Sequence, residues 1–231
     1  MIRSSERIMP TPQAVSASMC YHSGMNYRLV VFDFDGTLVD SMADSIRIFQ
    51  QIGPDLGLKP FHDLEAARHT PTRKLLKEVG VTFWKMPKVV RAFRSAVAEH
   101  AHELKLHLGI ADALARLHGG GIRLGILSSN DEANIRRCLG ANGVEHHFSF
   151  IVGHPQLFGK ARALRRIRKR ERIEREQMVY VGDETRDVDA ARRAGIISGA
   201  VAWGYHAPEL LERTSPTVFF RVPDDLAKLA S

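Results

Sequence analysis

Cysteine is scarce in this chain: two residues in 231, Cys20 and Cys138, with no metal-type or redox-type spacing between them. That scarcity argues against a disulfide scaffold and against a structural zinc site. Long apolar runs are missing as well. No stretch approaches the roughly 18–20 consecutive apolar residues that a membrane span needs, so an integral membrane protein is excluded. The first 26 residues lack the apolar segment of a secretory signal. Aromatic residues make up only 7% of the chain, and glycine and proline show no collagen-like or low-complexity pattern. What remains is the composition of an ordinary globular protein, 44% apolar and 26% charged. At about 150 residues per domain, the length suits one large domain or a domain with a smaller insert.

The net charge of +7 is local rather than general. Between Lys160 and Arg175 lie nine basic residues and two acids, Glu171 and Glu174, so this segment carries the whole excess. Leu164 and Ile167 give it a short apolar seam at helical spacing, which predicts one amphipathic helix with a basic outer face. A solvated face is the plain interpretation. A polyanion-binding stripe over 162–175 is the alternative, and the near absence of interleaved aromatics argues against nucleic acid.

Residues Met1 to Asn26 hold five serines and two prolines without helical or strand periodicity. They are expected to form a disordered tail, or upstream sequence read through from an early start codon, with Met25 as the natural start. Arg3, Arg7 and the serines also faintly resemble a transit peptide. With no export signal, the cytoplasm is the default expectation. Beyond the tail, short apolar runs alternate with helical patterns. Strands are expected at Leu29 to Phe32, Ile122 to Leu127, Phe148 to Val152, Met178 to Val181 and Gly199 to Ala202. Helices are expected near 110–118, 131–139, 160–172 and 185–194. Continuous apolar strands alternating with helices predict an α/β fold, a doubly wound parallel sheet buried on both faces. Residues 41–105 break that rhythm with helical pattern alone, near 41–52, 72–79 and 87–103. An insert directly after the first strand should lie over the carboxyl edge of the sheet, where such sheets bind ligands. The expected division is therefore a core of 27–40 and 106–231 with a helical cap of 41–105. Phe83 and Trp84 are expected to pack within that cap, and the histidines His62, His69, His100, His102 and His107 to be surface or satisfied residues. Arg68, His69 and Thr70 form a candidate substrate loop.

Four strand ends carry the chemistry. The first runs Asp33-Phe34-Asp35-Gly36-Thr37-Leu38-Val39-Asp40-Ser41, two carboxylates spaced i, i+2 before a glycine turn. The second ends in Leu127-Ser128-Ser129-Asn130. Lys160 opens the helix after the third. The fourth ends in Val181-Gly182-Asp183-Glu184-Thr185-Arg186-Asp187. In a parallel sheet these ends converge on one edge. Crowded carboxylates repel unless a cation neutralises them, and oxygen ligands from short turns suit magnesium. A lysine and a hydroxyl beside that cation cradle a phosphoryl group, which one carboxylate can attack while its neighbour handles the proton. The expectation is magnesium-dependent phosphoryl transfer.

These motifs resemble those of the haloacid dehalogenase superfamily hydrolases, in their phosphoglycolate phosphatase-like branch with a helical cap. The first motif matches nearly letter for letter. Val201-Ala202-Trp203-Gly204-Tyr205 with Pro208-Glu209-Leu210 adds kinship beyond the catalytic motifs. The chain departs from the branch at Leu108-Gly109, where a proline commonly precedes the glycine, and at Ala161, where proline often follows the lysine. The resemblance implies roles. Asp33 would be the nucleophile and a metal ligand. Asp35 would be the acid and then the base, and its carbonyl a metal ligand. Ser128 would hold a phosphoryl oxygen, Lys160 would offset charge, and Asp183 and Asp187 would bind Mg2+, the latter through water. Gly36, Thr37, Ser129 and Asn130 are the remaining expected substrate contacts. Asp35 also selects the reaction: an alkoxide leaving group needs a proton and a halide does not. The expected activity is therefore hydrolysis of a small phosphorylated metabolite, phosphoglycolate-like, through an aspartyl phosphate. A sugar phosphomutase is the alternative, and monomer and homodimer both stay open.

Overall fold

A computed structural model describes residues 26–60, 63–153 and 159–230. The expectations for the tail before Asn26 and for His62 lie outside the described residues. The sheet is built from β1 (Leu29–Phe32), β2 (Arg123–Leu127), β3 (Phe148–Val152), β4 (Met178–Gly182), β5 (Ile197–Val201) and β6 (Val218–Phe220). The strand order is β3-β2-β1-β4-β5-β6, and every neighbouring pair is parallel. Order reverses around β1, so the ligand crevice of this architecture falls at the carboxyl ends of β1, β2 and β4.

Alternation along β1 divides the core. Val30 and Phe32 face one layer with Leu114 and Leu117 of α5 (Ile110–Gly119) and Ile135 and Leu139 of α6 (Glu132–Ala141). Leu29 and Val31 face the other, with Leu164 and Ile167 of α7 (Lys160–Glu171) and Ala191 of α8 (Thr185–Ala194). All four β1 side chains are fully buried, which is why the strand is apolar throughout rather than alternating.

Residues between β1 and α5 form four helices: α1 (Met42–Ile52), α2 (Leu64–Arg68), α3 (Thr72–Glu78) and α4 (Met86–His100). They enclose a separate small core of Phe49, Leu58, Val79, Val81 and Val89. The two crossings into this insertion lie side by side, with the Asp40 amide donating to the Lys105 carbonyl at 3.0 Å and the His107 amide to Leu38 at 3.0 Å.

Three expectations need correction. Phe83 and Trp84 are not packing residues: they are 81% and 86% exposed, on the turn between α3 and α4, with their rings edge to face at 5.4 Å. The basic segment is not one helix to Arg175. It ends at Glu171, where Arg172 turns left-handed at φ 54° so that Ile173 can enter the core before β4. Leu164 and Ile167 are the buried seam as expected, but Lys160 is itself buried and belongs to the sheet edge rather than to the basic face. β6 and the short helix α9 (Pro208–Glu212) before it lie outside the expected elements. No helix among the described residues is long and apolar enough to cross a membrane.

Candidate active site

At the end of β1 the chain turns through Gly36 at φ +75°, with the Gly36 amide closing on Val39 at 2.9 Å. The glycine is required twice over. Its φ is left-handed, and a Cβ there would lie 2.3 Å from Asp183 Oδ2. This turn sets Asp33 and Asp35 at the sheet edge. Asp33 is buried, with Oδ1 accepting the Phe34 amide at 2.8 Å and Oδ2 accepting Lys160 Nζ at 2.5 Å. Lys160 also donates to Asp187 Oδ1 at 2.7 Å. One buried ammonium at the first position of α7 thus holds two carboxylates from different strand ends.

Asp33, Asp183 and Asp187 each offer an oxygen within 4.8 Å of the others, and all three are buried. Asp183 accepts the Thr37 hydroxyl at 2.8 Å and the Tyr205 amide at 2.8 Å, and forms no ion pair among the described residues. Asp187 Oδ2 accepts the Glu184 amide at 3.1 Å at the start of α8. Burial pushes the Asp33 carboxyl up to about 6, against the pull of Lys160. Burial, reinforced by Glu184, Asp187 and Asp33, pushes Asp183 well above the ordinary carboxylate range. Burial disfavours the charged form of Lys160, but Asp187 and Asp33 outweigh it and raise the ammonium. Three buried carboxylates against one lysine leave negative charge uncompensated. An all-oxygen donor set of this kind fits a hard divalent cation.

Asp35 stands beside this cluster. Its Oδ2 accepts the Asn130 amide at 3.0 Å and its Oδ1 the Ser41 hydroxyl at 3.3 Å. Burial raises its carboxyl, with these two donors pulling the other way. The Ser128 hydroxyl is buried at the end of β2 and accepts the Asn130 amide at 3.1 Å. The Ser129 carbonyl accepts the Arg94 guanidinium of α4 at 2.6 Å. Every residue expected from the strand ends therefore lies at one edge, but with altered partners. Asn130 holds Asp35, and Thr37 holds Asp183.

Tyr205 and Thr72 join the site although the strand-end motifs do not include them. Tyr205, expected only to mark kinship, donates its amide to Asp183, and its hydroxyl shares hydrogen bonds with the Ser45 hydroxyl at 2.6 Å and the Ser41 hydroxyl at 3.0 Å. Its position just past β5 was a usable signal, because it follows a strand end like the other motifs. Thr72 of α3 donates to Glu184, and Arg186 pairs with the same carboxylate. Burial favours a neutral Glu184, but Arg186 and His206 bring it down to about 2. His107 shares a hydrogen bond with the Gly36 carbonyl at 3.1 Å beneath the turn.

The family model of haloacid dehalogenase-like hydrolases matches residues 30–201. This chain is a haloacid dehalogenase-like hydrolase. It is 35% identical over 199 residues to a phosphoglycolate phosphatase of Synechococcus elongatus, covering 85% of this chain and 94% of that protein. Among solved structures it is similar to the Mycobacterium tuberculosis protein tyrosine kinase A, at 29% identity and a TM-score of 0.70, covering 90% and 100% of the two chains. A haloacid dehalogenase-like family protein of Streptococcus pneumoniae shares the fold, with a TM-score of 0.73 at 24% identity, covering 87% and 97%. The enzyme class expected from the motifs, a phosphoric monoester hydrolase of the phosphoglycolate phosphatase-like branch, agrees with the family model and with the Synechococcus elongatus phosphatase. For a haloacid dehalogenase-like hydrolase, the buried carboxylate cluster is the natural seat of a divalent cation.

Proposed function

We propose that this hydrolase is a magnesium-dependent phosphatase that cleaves phosphate monoesters through an aspartyl phosphate on Asp33. The observation that carries this is the meeting of Asp33, Asp183 and Asp187 within 4.8 Å, with Lys160 on Asp33 and Asp35 alongside. Asp33, Asp183, Asp187 and the Asp35 carbonyl would hold Mg2+, whose positive charge offsets that of the carboxylates and the phosphoryl oxygens. In the first half-reaction an Asp33 carboxylate oxygen bonds to phosphorus as the ester P–O bond breaks, and Asp35 gives its proton to the departing oxygen. In the second, Asp35, now a carboxylate, takes a proton from water as the water oxygen attacks phosphorus and the bond to Asp33 breaks. Phosphate leaves and Asp35 is protonated again. Lys160 and Ser128 position the phosphoryl oxygens and offset their charge.

Asp35 suits both of its tasks. Burial favours its protonated form, which can donate, while Asn130 and Ser41 stabilise the carboxylate left behind. Residues 41–105 act as a cap in this reading. Arg94 reaches Ser129 and Thr72 reaches Glu184, so the closed insertion touches two of the strand-end loops and excludes bulk water during the first step.

The test is phosphate release from a panel of esters, phosphoglycolate among them, with magnesium and with chelator, beside Asp33→Asn. Magnesium-dependent release lost in the variant is expected, together with trapping of phosphate on Asp33 in rapidly quenched wild-type protein. Release that persists in Asp33→Asn refutes the aspartyl-phosphate route.

A further inference from the structure

Between the helical insertion and the sheet edge lies a cavity of about 270 Å3. At one end are Asp35, Ser129 and Asn130 of the core, with Glu184, Arg186, Tyr205 and His206; the rest of its wall comes from the insertion and is mostly apolar, including Met42, Ile46, Leu75, Leu76, Val90 and Phe93. None of these six side chains is fully buried. Asp35 fixes what the space is for. The group that protonates the departing oxygen stands on the leaving-group side of phosphorus, so whatever the phosphate is esterified to extends into the cavity that Asp35 lines.

We infer that the preferred substrates are phosphate monoesters whose organic part is largely apolar, an alkyl or aryl group several carbons in extent, rather than short, strongly polar esters. The inference rests on the phosphatase reading above and adds the substrate class. At about 30 Å3 for a water-sized group, the cavity takes on the order of nine non-hydrogen atoms. A two-carbon hydroxy acid would fill roughly half of that and would set a carboxylate against apolar walls. The polar groups in the wall are mostly committed: Arg186 to Glu184, Arg94 to the Ser129 carbonyl, and Tyr205 to Ser41 and Ser45. Arg68 is the exception, with a buried Nε that has no hydrogen-bond partner. It is the group through which a carboxylate-bearing leaving group would bind.

The experiment compares kcat/KM for the straight-chain series from methyl to hexyl phosphate, with phosphoglycolate alongside, using the full chain in magnesium. From ethyl onward the leaving alcohols have nearly equal acidity, so differences along the series report binding of the chain. Each added methylene should raise kcat/KM by about fourfold until the cavity is full, the value for transferring one methylene out of water. Val90→Asn should reduce the ratio of hexyl to methyl phosphate. A flat or falling series, or phosphoglycolate turned over faster than every alkyl ester, overturns the inference while leaving the phosphatase reading intact. In the latter case Arg68→Met should remove the advantage of phosphoglycolate. No release from any ester overturns both.

Discussion

Asp183→Asn should stabilise the metal-free protein while disabling the enzyme. Asp183 is completely buried, and that burial, reinforced by its negative neighbours Glu184, Asp187 and Asp33, pushes its carboxyl well above the ordinary range, so its charge opposes folding when no cation is bound. At 4.8 Å, the widest spacing within the cluster, two carboxylates at an effective dielectric constant of 20 repel by about 3.5 kcal/mol. An asparagine removes that repulsion and keeps the shape. Its oxygen can accept the Tyr205 amide, and its NH2 can turn to Thr37, whose hydroxyl is free to reverse and accept. Exchanging two charge-assisted bonds for neutral ones returns about 2 kcal/mol, leaving a net gain of about 1.5 kcal/mol. With a urea slope of about 2 kcal/mol/M, the midpoint in chelator should rise by roughly 0.5–1 M. In magnesium the order should reverse, because a cation present at a hundred times its Kd adds about 2.7 kcal/mol to the parent and much less to the variant. The pH dependence has a definite sign. A raised carboxyl binds its proton more tightly folded than unfolded, so the parent's penalty is present above the folded value and is relieved as pH falls through it. The gap in chelator should therefore narrow toward acid. Urea titrations of both proteins, with EDTA and with MgCl2, at pH 8 and pH 5.5, check all of this. A variant less stable than the parent in EDTA would refute the claim that the empty cluster is electrostatically strained.

The remaining predictions concern other links between sequence and fold. Gly36→Ala places a Cβ at φ +75° and 2.3 Å from Asp183 Oδ2, so melting should show a loss of at least about 1–2 kcal/mol, and calorimetry a magnesium affinity down by about tenfold or more. Cys138 is fully buried, and burial, helped by the Asp35 charge, pushes its thiol up to about 12. Iodoacetamide at pH 8 should leave it unmodified in the native protein and label it after denaturation, as read by peptide mapping; rapid native labelling would contradict the packing. His147 has a buried Nδ1 without a partner, and burial, with His146 and His118 nearby, lowers its imidazole below the usual range. A depressed histidine contributes stability above its unfolded value that is lost as pH falls through the folded one. His147→Gln should therefore melt with a weaker dependence on pH between 7 and 5 than the parent, and an unchanged slope would show that His147 bears no such cost.

The strands and the strand-end residues were legible because both are local in sequence. β1 and β4 are buried at every position and stand out as apolar runs, β2 and β3 do so apart from the exposed Arg123 and Ser149, and the turns after β1, β2 and β4 carry their polar residues within a few positions of the last apolar one. β6 was missed because Val218, Phe219 and Phe220 are too few to form a pattern, although β5 pairs with them in register. Phe83 and Trp84 were misplaced because apolarity alone does not distinguish a buried turn from an exposed one. The end of α7 was missed because the left-handed turn falls on an arginine rather than a glycine. Beyond Tyr205 and His107, which belong to the core, what the sequence hid in the site lies in the insertion. Thr72 meets Glu184 across 112 residues, and Arg94 meets Ser129 across 35. Those contacts are set by how a separate small core of Phe49, Val79 and Val89 seats its helices over the sheet edge, so no spacing within a motif encodes them. The chemistry was thus readable from the core, whose strands all present their ends to one edge. The cavity wall depends on the insertion's packing, and it becomes visible only in three dimensions.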